Sequence, residues 1–239
     1  MATELGSSTR FIEELRDEVR RESVIDGPHP FTQMMVKGEL TVEQLQMWAT
    51  QFYLRTQAFS RGVAYMFAKC PSLAFRREIA ANLYEEETGR ISGTMPHVEL
   101  FAVLAESIGV TREQLDSARP ASYTRAFSDY IESMASMTFE EILGAVAIAA
   151  EAQTQDGVSP LTSRLQETYG ADTSFFDLHV VLDEDHSDLG DQVIRDMVQT
   201  EGARARVARA VHRHNQEYNK WLDGLFEEAV AHPAPGRPS

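Results

Sequence analysis

Apolar residues return at intervals of three and four along almost the whole chain, and no stretch alternates with period two between turn residues. A chain patterned this way buries its apolar stripes by packing helix on helix, so the sequence predicts an all-α fold. The spacing places helices over 8–22, 29–37, 41–68, 72–88, 97–108, 120–135, 138–167, 174–200 and 203–230. The punctuation agrees: Gly27-Pro28 and Gly38 bracket the second helix, Thr41 with Gln44 forms a capping box, and Pro71 precedes the fourth. Residues 88–96, TGRISGTMP, carry Gly89, Gly93 and Pro96 between two strongly helical stretches, and the backbone there is expected to be irregular. No break resembles a linker. One domain is expected over 1–231, followed by a disordered tail, HPAPGRPS, at 232–239.

Charge and cysteine usage exclude several classes. With 37 acidic against 22 basic residues the net charge is −15, which repels phosphate backbones and anionic lipid, so no nucleic acid and no membrane is expected as a partner. Cys70 is the sole cysteine, so neither a disulfide framework nor a CxxC site can form. The N-terminus lacks the basic and apolar regions of a signal peptide, and a cytoplasmic location is expected. P-loop, GxGxxG, GxSxG and HExxH patterns are absent.

The sharpest local pattern is His179-x3-Asp183-x2-His186 in FFDLHVVLDEDHSDLGDQV. At 100° per residue, the second and third positions fall about +40° and −20° from the first, on one stripe of one helix. Two imidazoles and a carboxylate suit iron, manganese or zinc better than calcium or magnesium. Glu151 follows seven small or apolar residues, GAVAIAA, where an isolated carboxylate is rarely buried without a partner or a metal. Glu87 ends the run Glu85-Glu86-Glu87, and His97 opens a helix after Pro96. Four helices could thus converge three carboxylates and three imidazoles on a bundle interior, as in two-metal carboxylate sites. Tyr53 and Tyr84 lie on the helices expected to flank that site, and the run Arg204, Arg206, Arg209, Arg213 offers a clamp for a substrate carboxylate beside a plainer role as a solvated face.

The stretch HPFTQMMVKGELTVEQLQMWATQFY, His29 to Tyr53, resembles thiaminase-like and pyrroloquinoline-quinone-synthase-like proteins of the heme-oxygenase-like fold. Glu87-x9-His97, Glu151 and His179-x3-Asp183-x2-His186 are similar to the ligand pattern of the heme-oxygenase-like diiron oxidases and oxygenases. The resemblance implies a seven-helix bundle, a homodimer, and six ligands, Glu87, His97, Glu151, His179, Asp183 and His186, holding two Fe2+ ions with O2 as co-substrate. It also implies a small amine or amino-acid substrate in specialised metabolism, with an external electron donor possible. The reaction stays open between N-oxygenation of an amine and oxidative desaturation or fragmentation of an amino acid. Some members add a Glu ligand from the preceding long helix, but no acidic residue lies between Glu43 and Glu78 here. Members that consume their own side chains need Lys or Tyr near the irons, whereas the only lysines here are Lys37, Lys69 and Lys220, none near a proposed ligand in sequence. The alternative is a metal-free oxidase or hydrolase of the same fold that binds an organic substrate directly.

Overall fold

The computed structural model describes residues 2–21, 28–150 and 160–231, with side chains at 2–7, 20 and 180–189 outside that description. The described residues form twelve α-helices and no strand. The architecture is therefore all-α as the periodicity requires, although the helical segments are more numerous than the seven implied by the resemblance.

A 31-residue helix, α12 (Glu201–Ala231), about 46 Å long at 1.5 Å per residue, is the spine. Its buried positions Val207, Val211, His214, Tyr218, Trp221, Leu225 and Ala229 step by threes and fours down one stripe. Against that stripe pack α1 (Ala2–Arg21), α2 (Pro30–Val36), α8 (Ser122–Ser133), α9 (Phe139–Leu143) and the residues that follow α9. Two glycines permit the closest approaches: a Cβ on Gly144 would stand 2.6 Å from the Val207 carbonyl oxygen, and one on Gly224 would stand 2.3 Å from the Tyr123 ring. On the other side α3 (Val42–Thr56) packs on α6 (His97–Ser107) and α8, and α6 packs on α11 (Ser174–Met197). The rings of Trp48, Phe52, Phe101, Phe175, Phe176 and Trp221 interlock where α3, α6, α11 and α12 meet; Phe52 and Phe101 stack with centroids 4.3 Å apart. This block of rings fixes how α11 sits beside α6.

The capping box at α3 forms as the sequence predicts: Thr41 Oγ1 accepts from the Gln44 amide, and Gln44 Oε1 accepts from the Thr41 amide at 2.9 Å. The same box, Thr111 with Gln114, opens α7 (Arg112–Ser117), a short helix the sequence reading passed over. Two long rods expected from sequence are broken. The first, 41–68, divides at Gln57 and Ala58 into α3 and α4 (Phe59–Lys69). The second, 138–167, is α9, then seven residues Gly144–Ala150 wound as π-helix, then α10 (Pro160–Tyr169), with 151–159 outside the described residues. Wide turns of this kind gather at functional sites, and here they run into position 151. The first helix begins at Ala2 rather than 8. The tail expected to be disordered, 232–239, also lies outside the described residues.

His214 is buried on α12 at 2% exposure, and burial, reinforced by the charge of Arg55, lowers its pKa to about 3 from 6.5. Between those values the unfolded chain binds a proton that the folded chain refuses, so stability falls as pH drops below 6.5. At pH 5 the deficit is about 2 kcal/mol. Chemical denaturation between pH 7 and pH 5 should show wild type losing that much relative to His214→Gln, and parallel profiles would contradict it.

Candidate metal centre

The centre is assembled at the join between α5 (Leu73–Thr88) and α6. Helix α5 ends at Gly89 in the left-handed conformation, φ 62°, and a Cβ there would stand 2.3 Å from the Met95 carbonyl oxygen, so the chain can fold back only because residue 89 has no side chain. The turn is stapled by Glu85, whose Oε2 accepts from the amides of Ile91 at 2.7 Å and Ser92 at 3.2 Å, and by the Thr94 amide donating to the Gly89 carbonyl at 2.7 Å. Residues 88–96 are thus irregular as expected, but as a defined turn. Pro96 then caps α6 and delivers His97, 1% exposed, at its first position.

His97 Nδ1 lies 3.0 Å from Glu86 Oε2, and His97 Nε2 lies 3.6 Å from Glu85 Oε1. Neither ring nitrogen makes an aligned hydrogen bond, nor does Glu85 Oε1, although all three atoms are buried. From the facing helix α11, His179 brings its ring to 4.8 Å from that of His97. Its Nδ1–H donates to the Phe175 carbonyl at 2.6 Å, which fixes the tautomer and leaves Nε2 as the nitrogen with the lone pair. One ligand atom each from Glu86, His97 and His179 lie within 4.8 Å of one another. Two imidazoles, a carboxylate and buried nitrogens without hydrogen bonds fit a transition-metal ion better than they fit one another.

Burial would lower the His97 pKa, but the Glu86 and Glu85 carboxylates outweigh it and hold the imidazole above its ordinary value. Burial would likewise raise Glu85, and the donors of Ser92 and Ile91 together with His97 reverse that and hold it below the usual carboxylate range.

The six residues expected from sequence fare differently. His97 and His179 come together. Glu87 is exposed, and Glu86 stands in the cluster instead. The reason is helical pitch: counted from the buried Phe75, position 86 falls about 20° round the helix and position 87 about 120°. The stripe Phe75-Ile79-Asn82-Glu86 was the available signal for the correct register. Positions 183 and 186 follow 179 on the unbroken helix α11, with their side chains outside the description, and Glu151 lies outside the described residues. Tyr53 is buried in the hydrophobic core, whereas Tyr84 is exposed beside Arg90. Three of the four arginines of that run on α12 are engaged elsewhere: Arg206 pairs with Glu140 at 3.0 Å, Arg204 covers Phe11 and Arg213 covers Tyr130. Cys70 is buried and burial raises its thiol pKa, which removes it as a nucleophile. No helix among the described residues is long and apolar enough to cross a membrane.

The chain is 25% identical to the 4-aminobenzoate synthase of Nitrosomonas europaea, with 85% of this chain and 86% of that one covered. It is 26% identical to the 4-chloro-allylglycine synthase of Streptantibioticus cattleyicolor over 83% and 77%. The 4-aminobenzoate synthase of Chlamydia muridarum is 30% identical over 50% of this chain, and the chain spans about half the length of that relative, 48%. In fold it resembles a CADD-like protein of unknown function from Nostoc punctiforme, with TM-score 0.78, 18% identity and 94% and 99% of the two chains covered. A heme oxygenase-like domain from Shewanella denitrificans superposes with TM-score 0.73, 17% identity and 98% of each chain covered. Residues 46–217, which include α6 and α11 and all but the first turn of α3, match the family described as iron-containing redox enzymes, and this chain belongs to that family.

Proposed function

We propose that this protein is a non-heme diiron oxygenase or oxidase that uses O2 to oxidise a small nitrogen-containing metabolite, with Glu86, His97, Glu151, His179, Asp183 and His186 as the ligand set. The observation that carries the reading is the convergence of Glu86, His97 and His179 within 4.8 Å. Glu86 replaces Glu87 in this set for the reason of helical register given above.

Iron held there supplies the one-electron chemistry that lets O2 react with a closed-shell organic molecule. The chain's own contributions are positional. The Phe175 carbonyl holds His179 by Nδ1, and Glu85 keeps the 88–96 turn closed so that His97 stays at the head of α6. Phe175, whose ring centroid lies 4.3 Å from that of His179, and Phe101 beyond it wall the cluster with apolar surface.

Two reaction types fit: N-oxygenation of an amine, and oxidative desaturation or fragmentation of an amino acid. The names of the two relatives aligned over most of the chain favour an amino-acid substrate, since 4-aminobenzoate and 4-chloro-allylglycine each carry an amino group and a carboxylate. A homodimer and an external electron donor complete the reading.

The test is anaerobic Fe2+ loading of Glu86→Ala and Glu87→Ala, followed by O2 uptake with a panel of amino acids and amines. Glu87→Ala should keep wild-type iron and uptake, and Glu86→Ala should lose both by more than tenfold, an effect typical of metal-site residues. The opposite ranking would return Glu87 to the ligand set. A wild type that takes up iron but consumes no O2 with any member of the panel would sink the oxygenase reading.

A further inference from the structure

Beside the aromatic block lies a polar group that the metal centre does not use. The side chain of Arg55, half-buried in the last turn of α3, makes no hydrogen bond and no ion pair among the described residues, and its Nε is buried without an acceptor. Its guanidinium carbon instead sits 4.3 Å from the centroid of Phe52, 4.5 Å from Tyr218, 5.0 Å from Trp221 and 5.3 Å from Phe127. Four rings supply cation–π attraction, but they accept none of the in-plane N–H donors of a guanidinium. A second unsatisfied polar atom, Nε2 of the buried His214, belongs to a ring packed on two of the same side chains, 5.8 Å from Phe127 and 6.4 Å from Tyr218.

A charge drawn partly out of water and packed among rings without a counter-ion is costly in folded proteins. Here the cation stands in a chain of net charge −15, rich in carboxylates that could have been placed beside it. A planar two-pronged donor in aromatic surroundings matches one kind of partner well, a carboxylate on an apolar body. We propose that Arg55 is the counter-ion for the carboxylate of an organic-acid substrate, with His214 lining the same subsite. Phe52 connects this subsite to the metal centre, for it touches Arg55 on one side and lies 6.0 Å from Phe175, the ring beside His179, on the other. The assignment rests on the oxygenase reading only for the fate of the bound acid, since binding itself requires no iron.

The experiment is calorimetric titration of the metal-free full chain in chelator with carboxylates from acetate to 4-phenylbutyrate, each matched to its neutral amide. Wild type should bind at least one carboxylate and not its amide. Arg55→Met should lose at least about tenfold in affinity, and Arg55→Lys should recover part of that loss. His179→Ala, which removes a proposed iron ligand, should bind the acid as wild type does; this separates failure of the subsite from failure of the iron reading. Thermal midpoints supply a second measurement. With no carboxylate present, Arg55→Met should melt at or above the wild-type temperature, because an uncompensated charge has been removed. Absence of carboxylate-selective binding in wild type, equal binding by Arg55→Met, or a marked drop in its melting temperature, as a purely structural cation–π pin would give, would each overturn the proposal.

Discussion

Replacing His97 by alanine should abolish iron retention and destabilise the metal-free chain as well. The imidazole is 1% exposed and stands between two carboxylates, Glu86 Oε2 at 3.0 Å and Glu85 Oε1 at 3.6 Å. Without it the two acids face each other across a cavity with no cation between them, and breaking a buried charge pair in this way costs about 3 kcal/mol. Fe2+ affinity should fall by more than about a hundredfold, beyond the 10–100-fold typical of losing a group that merely orients a ligand. Urea denaturation of the metal-free protein and metal analysis after anaerobic loading read the two effects separately. A variant as stable as wild type would show that the neighbouring carboxylates need no partner, and one that still held iron would remove His97 from the ligand set.

A second large effect should come from a residue that carries no chemistry. In Gly89→Ala the new Cβ meets the Met95 carbonyl at 2.3 Å, and the φ of 62° is one that alanine adopts at a cost of about 1–2 kcal/mol. The clash is with backbone two residues before His97, so no side chain can swing aside, and relief requires moving the start of α6. Iron retention should therefore be lost with every proposed ligand still present and with helical circular dichroism unchanged. Gly93→Ala is the control. Its φ of 75° carries a similar backbone penalty, but nothing lies within 4 Å of the added methyl, so it should lose about 1 kcal/mol of stability and keep its iron. Equal iron content in the two alanine variants would show that the turn does not position His97.

The all-α architecture was legible because helical stripes are long, and stripes such as Val207-Val211-His214-Tyr218 name their own buried face. The capping box of Thr41 and Gln44 marked the start of α3, whereas the same pattern at Thr111 and Gln114 lay outside the predicted helices. Two breaks were not legible. The division of α3 from α4 at Gln57 and Ala58 falls in a run with no glycine or proline, and the π-wound segment Gly144–Ala150 is composed of residues that also read as ordinary helix, although Pro160 at the start of α10 is a stop signal. At the candidate metal centre, helical spacing singled out His179 and the family resemblance singled out His97, but the choice within Glu85-Glu86-Glu87 turned on a 100° step that distance along the chain to His97 does not encode. Arg55 was invisible for a different reason. Its distinction is the lack of any acceptor among the residues around it, which belong to α3, α8 and α12 and meet only in the folded chain.

The most direct test of the proposed diiron centre is anaerobic Fe2+ titration of the chain, read as metal retained per polypeptide after desalting, beside His97→Ala and His179→Ala. Two irons per chain in wild type and less than one in either variant is the expected result. A wild-type chain that retains no iron, or histidine variants that retain as much as wild type, would contradict it.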